Sequence, residues 1–294
     1  MNYINHEEIA KRAKGRLMVN SLFKTLSLLA TLFGVLMLAL LLFRVFSDGI
    51  AYINWDFLTG RLSTAPERAG ILGAILGSLW LILVVTPVMM LIGIGTAVFI
   101  ELYMKDGKFR SLISLNIKNL AGVPSIVYGI LGLAIFVRAL NLGSVVLAGG
   151  LTIALLVLPI SIVATQEALR SIPMDLSDGA LGVGATKWQA IRTITLPAAL
   201  PSILTGAILA LSRAIGETAP LVVIGIPTLL LPFPGGIFDK FTVLPMQIYY
   251  WTLDSVLVAE YANLAAATII VLLVILFALN FIAITLRRKY EISY

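Results

Sequence analysis

QEALRSIPMDLSDGALGVGATKWQAIRTITLPAALPSILTGAILALSRAIGETAPLVVI, residues 166–224, joins two unlike halves. The first is polar and punctuated by glycine, in a chain that is otherwise apolar. The second is an apolar helix carrying two charges, Arg213 and Glu217, near its middle.

Of the 294 residues, 60% are hydrophobic and 12% charged, and the mean hydropathy is +1.02. Soluble chains carry about 45–50% apolar and 25% charged residues. The composition therefore describes an all-α integral membrane protein, and several apolar runs exceed the roughly 20 residues that span a bilayer as helix. With no cysteine, disulfides, Cys-ligated zinc and thiol chemistry are excluded. The single histidine, His6, leaves metal catalysis almost no ligands to draw on. No residue is assigned to a metal or to catalysis.

Six transmembrane helices are expected, at about Leu22–Phe46, Ile71–Ile100, Asn119–Val137, Val145–Thr165, Leu200–Ile226 and Ala262–Leu286. Residues 1–20 form an N-terminal tail, residues 21–294 the six-helix unit, and residues 166–197 the polar loop within it. The first run exceeds the 7–15 apolar residues of a signal peptide and reads as a retained span. GAILG in the second span, with Gly73 and Gly77, is a small-xxx-small pair that lets a neighbouring helix approach. Pro87, Pro124, Pro159 and Pro220 each fall in a span, where packing kinks are expected before pathway kinks. Trp55, Tyr249, Tyr250 and Trp251 fit an interfacial aromatic belt or a docking face, and Asp239, Asp254 and Glu260 read as solvated charges.

Six spans put both termini on one side, and lysine and arginine choose which. The side holding the termini carries Lys11, Arg12, Lys14, Arg16, Lys105, Lys108, Arg110, Lys118, Arg170, Lys187, Arg192, Arg287, Arg288 and Lys289; the other carries Arg61, Arg68, Arg138 and Lys240. That asymmetry makes both termini and the polar loop cytoplasmic. The net charge of +6 is thus a topology signal in contact with membrane lipid, not a nucleic-acid footprint.

Within the loop, Pro173 suits the first turn of a helix, Met174–Val183 reads as a short helix, and Gly184 stops it in the left-handed conformation. Thr186 caps a second short helix, Lys187–Ile194, before Pro197 opens the fifth span. The spacing Asp178-Gly179-Ala180, then Gly184, then Ile194-x-Leu196-Pro197 resembles the EAA loop of ABC-importer permeases, E-A-A-x3-G-x9-I-x-L-P. Asp stands for Glu and Gly for the first Ala, with the spacing intact. The resemblance implies a coupling helix seated in a cleft of a cytoplasmic ATPase, with Asp178, Gly179, Ala180, Gly184, Ile194, Leu196 and Pro197 at or framing that contact.

Counting from Pro201, Arg213 stands about 18 Å along the helix at 1.5 Å per residue, near the centre of an apolar slab about 30 Å thick. A charge there costs about 2.5–3.5 kcal/mol on insertion scales. Four residues apart, Arg213 and Glu217 share a helix face, and Glu217 reaches back toward the guanidinium. One reading is a structural ion pair that fixes helix packing. The other is an anion site, in which the planar fork of donors meets an oxyanion and Glu217 holds the guanidinium between substrates.

SRAIGETAPL (Ser212–Leu221), NLAGVPSIVYGILGL in the third span and FTVLPMQIYYW (Phe241–Trp251) are similar to permeases of the bacterial high-affinity phosphate (Pst) importer, the last resembling the A-type subunit. The resemblance covers Gly70 to the C-terminus. It implies a type I ABC-importer permease fold in the inner membrane, transport of inorganic phosphate, and a substrate pathway through Ser212, Arg213 and Glu217. It also implies a heterodimer with a C-type permease, two copies of an ATPase that binds ATP-Mg, and a periplasmic phosphate-binding protein. No G-x-x-x-x-G-K-[ST] is present for a nucleotide, so the chain is read as a non-enzymatic subunit without its own cofactor. A permease for sulfate or molybdate is the near alternative. A passive channel or membrane signalling scaffold is the distant one, and it leaves the docking loop without a purpose.

Overall fold

The computed structural model describes residues 6–227 and 232–289, all helix and connecting segments with no strand among them. In chain order the helices are α1 (His6–Gly49), α2 (Trp55–Thr59), α3 (Leu72–Val98), α4 (Lys108–Leu120), α5 (Ser125–Gly132), α6 (Val146–Arg170), α7 (Met174–Gly182), α8 (Lys187–Ala190), α9 (Leu196–Gly216), α10 (Ala219–Ile224), α11 (Leu244–Asp254) and α12 (Glu260–Lys289). Widened π turns extend α3 through Phe99–Tyr103, extend α5 through Leu133–Ala139, and join α8 to α9 through Ile191–Thr195. Five helical stretches are long and apolar enough to cross a membrane, and a sixth arises if the bent pair α4 and α5 counts as one. The described part of the expected tail is helical and continuous with the first span, α1 running from His6 while the apolar stretch begins at Arg16; residues 1–5 lie outside the described residues.

Two of the six expected spans are broken, both at a glycine followed by proline. Within the expected third span, Ser125–Ala139 is turned 98° from α4. Gly122 weakens the helix and Pro124 forces Val123 out of the helical region. The charged residues between the second and third expected spans, read from the sequence as a loop over Glu101–Lys118, lie largely on α4. In the fifth span α9 stops at Gly216, Glu217 is extended (ψ 128°), and α10 restarts with Pro220 in its first turn. Proline cannot donate to the carbonyl four residues back, which here is Gly216. Pro87 and Pro159 have no such glycine close before them, and both sit inside unbroken helices.

A buried cluster of α3, α6, α9, α10 and the segment before α11 forms the centre, with Met89, Ile153, Leu221, Phe241 and Met246 all but sealed from solvent. Small residues set its spacing. A Cβ on Gly93 would lie 2.6 Å from Ser161 Oγ, and one on Gly206 2.4 Å from Ala164 Cβ, so α6 approaches both α3 and α9 closely. The GAILG pair differs from expectation in its partner. Gly73 faces the Phe233 ring and Gly77 faces the Thr242 carbonyl, so the pair admits a non-helical return segment, not a helix. The same segment is pinned to α3 by Trp80, whose indole N–H donates to the Pro234 carbonyl (3.1 Å), and by the Leu244 N–H donating to Ser78 Oγ (3.0 Å). Trp251 is buried between Phe57 and Tyr261, with ring centroids 6.2 and 6.4 Å away; it belongs to a core and not to an aromatic belt. α1 is largely exposed from Arg16 onward and meets α12, where a Cβ on Gly49 would lie 2.6 Å from the Ala266 and Ala267 backbone.

Gly77→Ala tests the close approach, because propensity and packing oppose each other. Alanine favours a helix by about 1 kcal/mol, but its Cβ would stand 1.9 Å from the Thr242 oxygen. Overpacking of this kind costs about 1–3 kcal/mol. Thermal unfolding in detergent is expected to show a lowered midpoint for Gly77→Ala and none for Gly95→Ala, where the added methyl meets nothing within 4 Å.

Candidate functional site

The polar loop begins later than its sequence suggests, because α6 continues to Arg170. Pro173 takes the position before the first helical residue of α7, not the first turn itself. Gly184 has φ +90°, the left-handed stop that the spacing requires, and Ala185 N–H donates back to the Ala180 carbonyl (3.1 Å). Thr186 forms a reciprocal capping box with Gln189: Thr186 N–H donates to Gln189 Oε1 (2.8 Å) and Gln189 N–H to Thr186 Oγ1 (3.3 Å). Asp178, Gly179 and Gly184 are exposed, while Ala180 is turned inward. Beside them Leu181, Val183 and Trp188 expose apolar surface, Val183 at 88%. The sequence reading missed these three; apolar side chains in an otherwise polar loop were the signal.

α8 is not a separate helix. Lys187–Gly216 is one helical rod passing through a widened turn that contains Ile194, with Leu196 and Pro197 in the first turn of α9. From Lys187 to Arg213 it measures about 39 Å at 1.5 Å per residue. Arg213 stands in its last turn, where a cation complements the carbonyl end of the helix dipole. Its Nε–H donates to Glu217 Oε1 at 3.2 Å; the Arg213 side chain is 44% exposed and that of Glu217 17%. The carboxylate thus reaches back to the guanidinium across the helix end. The Tyr128 hydroxyl, on α5, donates to the Leu120 carbonyl at 2.9 Å.

Ser212 points elsewhere. Its Oγ lies 2.8 Å from both the Ile208 carbonyl and Asn280 Oδ1 of α12. Seven residues along each antiparallel helix, Arg287 Nη1 donates to Thr205 Oγ1 at 3.0 Å. Two polar pairs at matched spacing fix the register of α9 against α12, a contact absent from the sequence reading.

The other root of the loop holds a second cluster that sequence spacing does not reveal. Glu101, in the widened turn ending α3, has only 4% of its side chain exposed. Its carboxylate accepts from Arg170 Nε (3.0 Å) and Nη2 (2.7 Å), from Gln166 Nε2 (2.9 Å) and from Arg110 Nη2. Arg170 also donates to Glu167 (3.2 Å), and Arg110 to Asp106. Next to this cluster a cavity of about 750 Å³ lies between the end of α3 and the loop helices, bounded by Lys105, Asp178 and Lys187 among others. Lys187 Nζ sits 5.0 Å over the Tyr103 ring. Among the described residues no group of His, Cys, Asp and Glu is placed to hold a metal ion.

The described geometry has close counterparts. The family model of the binding-protein-dependent transport system inner membrane component matches residues 89–291. The phosphate transport system permease protein PstA of Yersinia pestis is 30% identical over 285 residues, 96% of this chain and 95% of that one. PstA of Haemophilus influenzae is 28% identical over 261 residues, 89% and 91% of the two chains. The probable ABC transporter permease protein YqgI of Bacillus subtilis is 33% identical over 175 residues, 60% of each chain. Among solved structures, a bacterial alginate ABC transporter matches with TM-score 0.64 at 17% identity, covering 97% of this chain and 99% of that one. The MetNI methionine ABC transporter, in an inward-facing conformation, matches at 0.61 and 18%, covering 76% and 96%. The chain belongs to the family of binding-protein-dependent transport system inner membrane components and has the fold of a type I ABC-importer permease.

Proposed function

We propose that this chain is the A-type permease subunit of an ATP-driven importer of inorganic phosphate, working by alternating access. As a member of its family it serves with an ATPase and a substrate-binding protein in a bacterial inner membrane. The finer assignments are our reading: a C-type permease as heterodimer partner, two ATPase copies holding ATP-Mg, a phosphate-binding protein outside, and both termini in the cytoplasm. The observation that carries the proposal is the single rod Lys187–Gly216, which has the coupling loop at one end and the Arg213 guanidinium at the other. A push on the loop moves such a rod as a body and shifts the guanidinium at its tip. Phosphate is the substrate of choice because relatives of nearly full length are phosphate permeases and because a planar fork of donors suits a phosphate.

In this reading Arg213 meets the anion and Glu217 occupies the guanidinium when no anion is present. The carboxylate competes with the passenger, which lets the site release as well as bind. Leu181 on α7 and Val183 just after it, with Trp188 on α8, supply the apolar contact for the ATPase, and Asp178 its polar rim. Gly184 sets the angle between α7 and the rod.

Radiolabelled uptake by the assembled transporter tests the anion site. Arg213→Ala is expected to abolish phosphate uptake while the subunits still co-purify; normal uptake would remove Arg213 from the pathway. Excess unlabelled phosphate is expected to suppress the wild-type signal, and competition by sulfate instead would reassign the substrate.

Gly184→Val tests the loop. A β-branched residue at φ +90° is strained by about 1–3 kcal/mol, so the variant is expected to lose bound ATPase or ATP-coupled uptake. Undisturbed association and uptake would refute the docking role. Orientation is read by a membrane-impermeant thiol reagent added from outside, against the cysteine-free background. Asp239→Cys is expected to react and Asp178→Cys to stay unlabelled; the opposite pattern would invert the topology.

A further inference from the structure

The coupling loop has two roots, and only one is the rod that carries Arg213. The other is the end of α6, where Arg170 is the last helical residue, four positions before α7 begins. That root is not free. Glu101 draws together the end of α3, the first turn of α4 through Arg110, and the end of α6 through Arg170 and Gln166. Gln166 is 1% exposed and its amide is committed to this carboxylate. Beyond the cluster the loop is held chiefly at its other root, where Ala190 and Ile191 are buried and Lys187 sits over the Tyr103 ring; α7 itself borders the 750 Å³ cavity, and of its residues whose burial is described only Ala180 is buried.

We infer that Glu101 is a positioning residue that anchors the α6 root of the coupling loop, making that root a fulcrum so that motion of the loop is delivered to the rod. This inference rests on the reading of the loop as the ATPase contact. A lever over a cavity moves a load only if one end is held. With the α6 root fixed by a bidentate Arg170–Glu101 fork, displacement of α7 must pass through Gly184 and Thr186 into Lys187 and on along α9. With the root released, α7 and the end of α6 swing together into the cavity, and the rod stays still. The fork has the geometry for holding direction as well as charge, since two parallel N–H bonds resist rotation where one does not. The widened turn at Phe99–Tyr103 aims Glu101 across at Arg170; such turns are frequent at functional positions.

The test uses the complete transporter reconstituted in liposomes with its binding protein and measures phosphate moved per ATP hydrolysed. Glu101→Gln keeps the shape and removes the charge. It is expected to lower that ratio at least fivefold, with ATP hydrolysis retained, the assembled complex recovered at wild-type yield, and the half-saturating concentration of binding protein unchanged. Glu101→Asp, which keeps the charge on a shorter stem, is expected to restore part of the ratio. Arg170→Lys, which keeps the charge but loses the fork, is expected to fall between wild type and Glu101→Gln and decides the matter if Glu101→Gln fails to assemble. An unchanged ratio in Glu101→Gln and Arg170→Lys overturns the inference, as does a fall in complex yield that fully accounts for the lost uptake. Gly184→Val separates this outcome from failure of the loop reading. If Gly184→Val uncouples and the Glu101 and Arg170 variants do not, the loop drives transport without this anchor.

Discussion

Backbone polar groups inside a membrane need partners, and a helix that ends there leaves carbonyls without them. The break between Gly216 and Ala219 creates such an end about 22 Å along the rod from Pro201, and Arg213 stands in the turn that the break exposes. The guanidinium and the helix end answer each other's electrostatics, and Glu217, already outside the helix, reaches back to the guanidinium. An intact helix through residue 224 would hold the same two side chains but no open carbonyl end. Pro220 and Gly216 are therefore as much a part of the charged site as Arg213, and the α5 backbone shows how tightly the restart is held. A Cβ on Gly129 would lie 2.8 Å from Pro220 Cα, so α10 is locked against α5 at its first turn.

On the loop side of this site the proposed lever has an asymmetric mounting. One root of the coupling loop flows without interruption into the helix that carries Arg213; the other is tied by a buried carboxylate to two neighbouring helices. The two ends need different mechanical properties. A rod transmits displacement along its axis because its hydrogen bonds run that way. A charge cluster satisfied from three helices resists displacement in several directions at once. Transport coupled to a separate motor asks for both.

The sequence disclosed what is local. The hydropathy of the runs, the left-handed glycine at 184 and the helix cap at Thr186 each depend on a few adjacent residues, and each appears in the structure. The Arg213–Glu217 pair was legible for the same reason, being one turn apart. Long-range facts were not. Glu101 and its partners lie 65 and 69 residues apart, and nothing in spacing joins them. Gly77 announced a close approach but not that an extended segment 165 residues later would make it. The prolines were ambiguous one by one, because a proline within a span either is absorbed or breaks the helix. In the two breaks a glycine shortly upstream tipped the outcome, at Gly122 and Gly216. The early end of α9 decides where Arg213 stands, so this ambiguity touched the site itself.

The paired contacts between α9 and α12 bear on what can move. Ser212–Asn280 and Thr205–Arg287 are seven residues apart on both helices, a spacing close to two turns at 3.6 residues each. A slip by one turn would part both pairs together and leave polar groups stranded among apolar neighbours. The two helices are thus geared: rotation or tilt of one is inherited by the other, and the basic C-terminal segment Arg287–Lys289 travels with the helix that carries Arg213 instead of standing by as a passive wall.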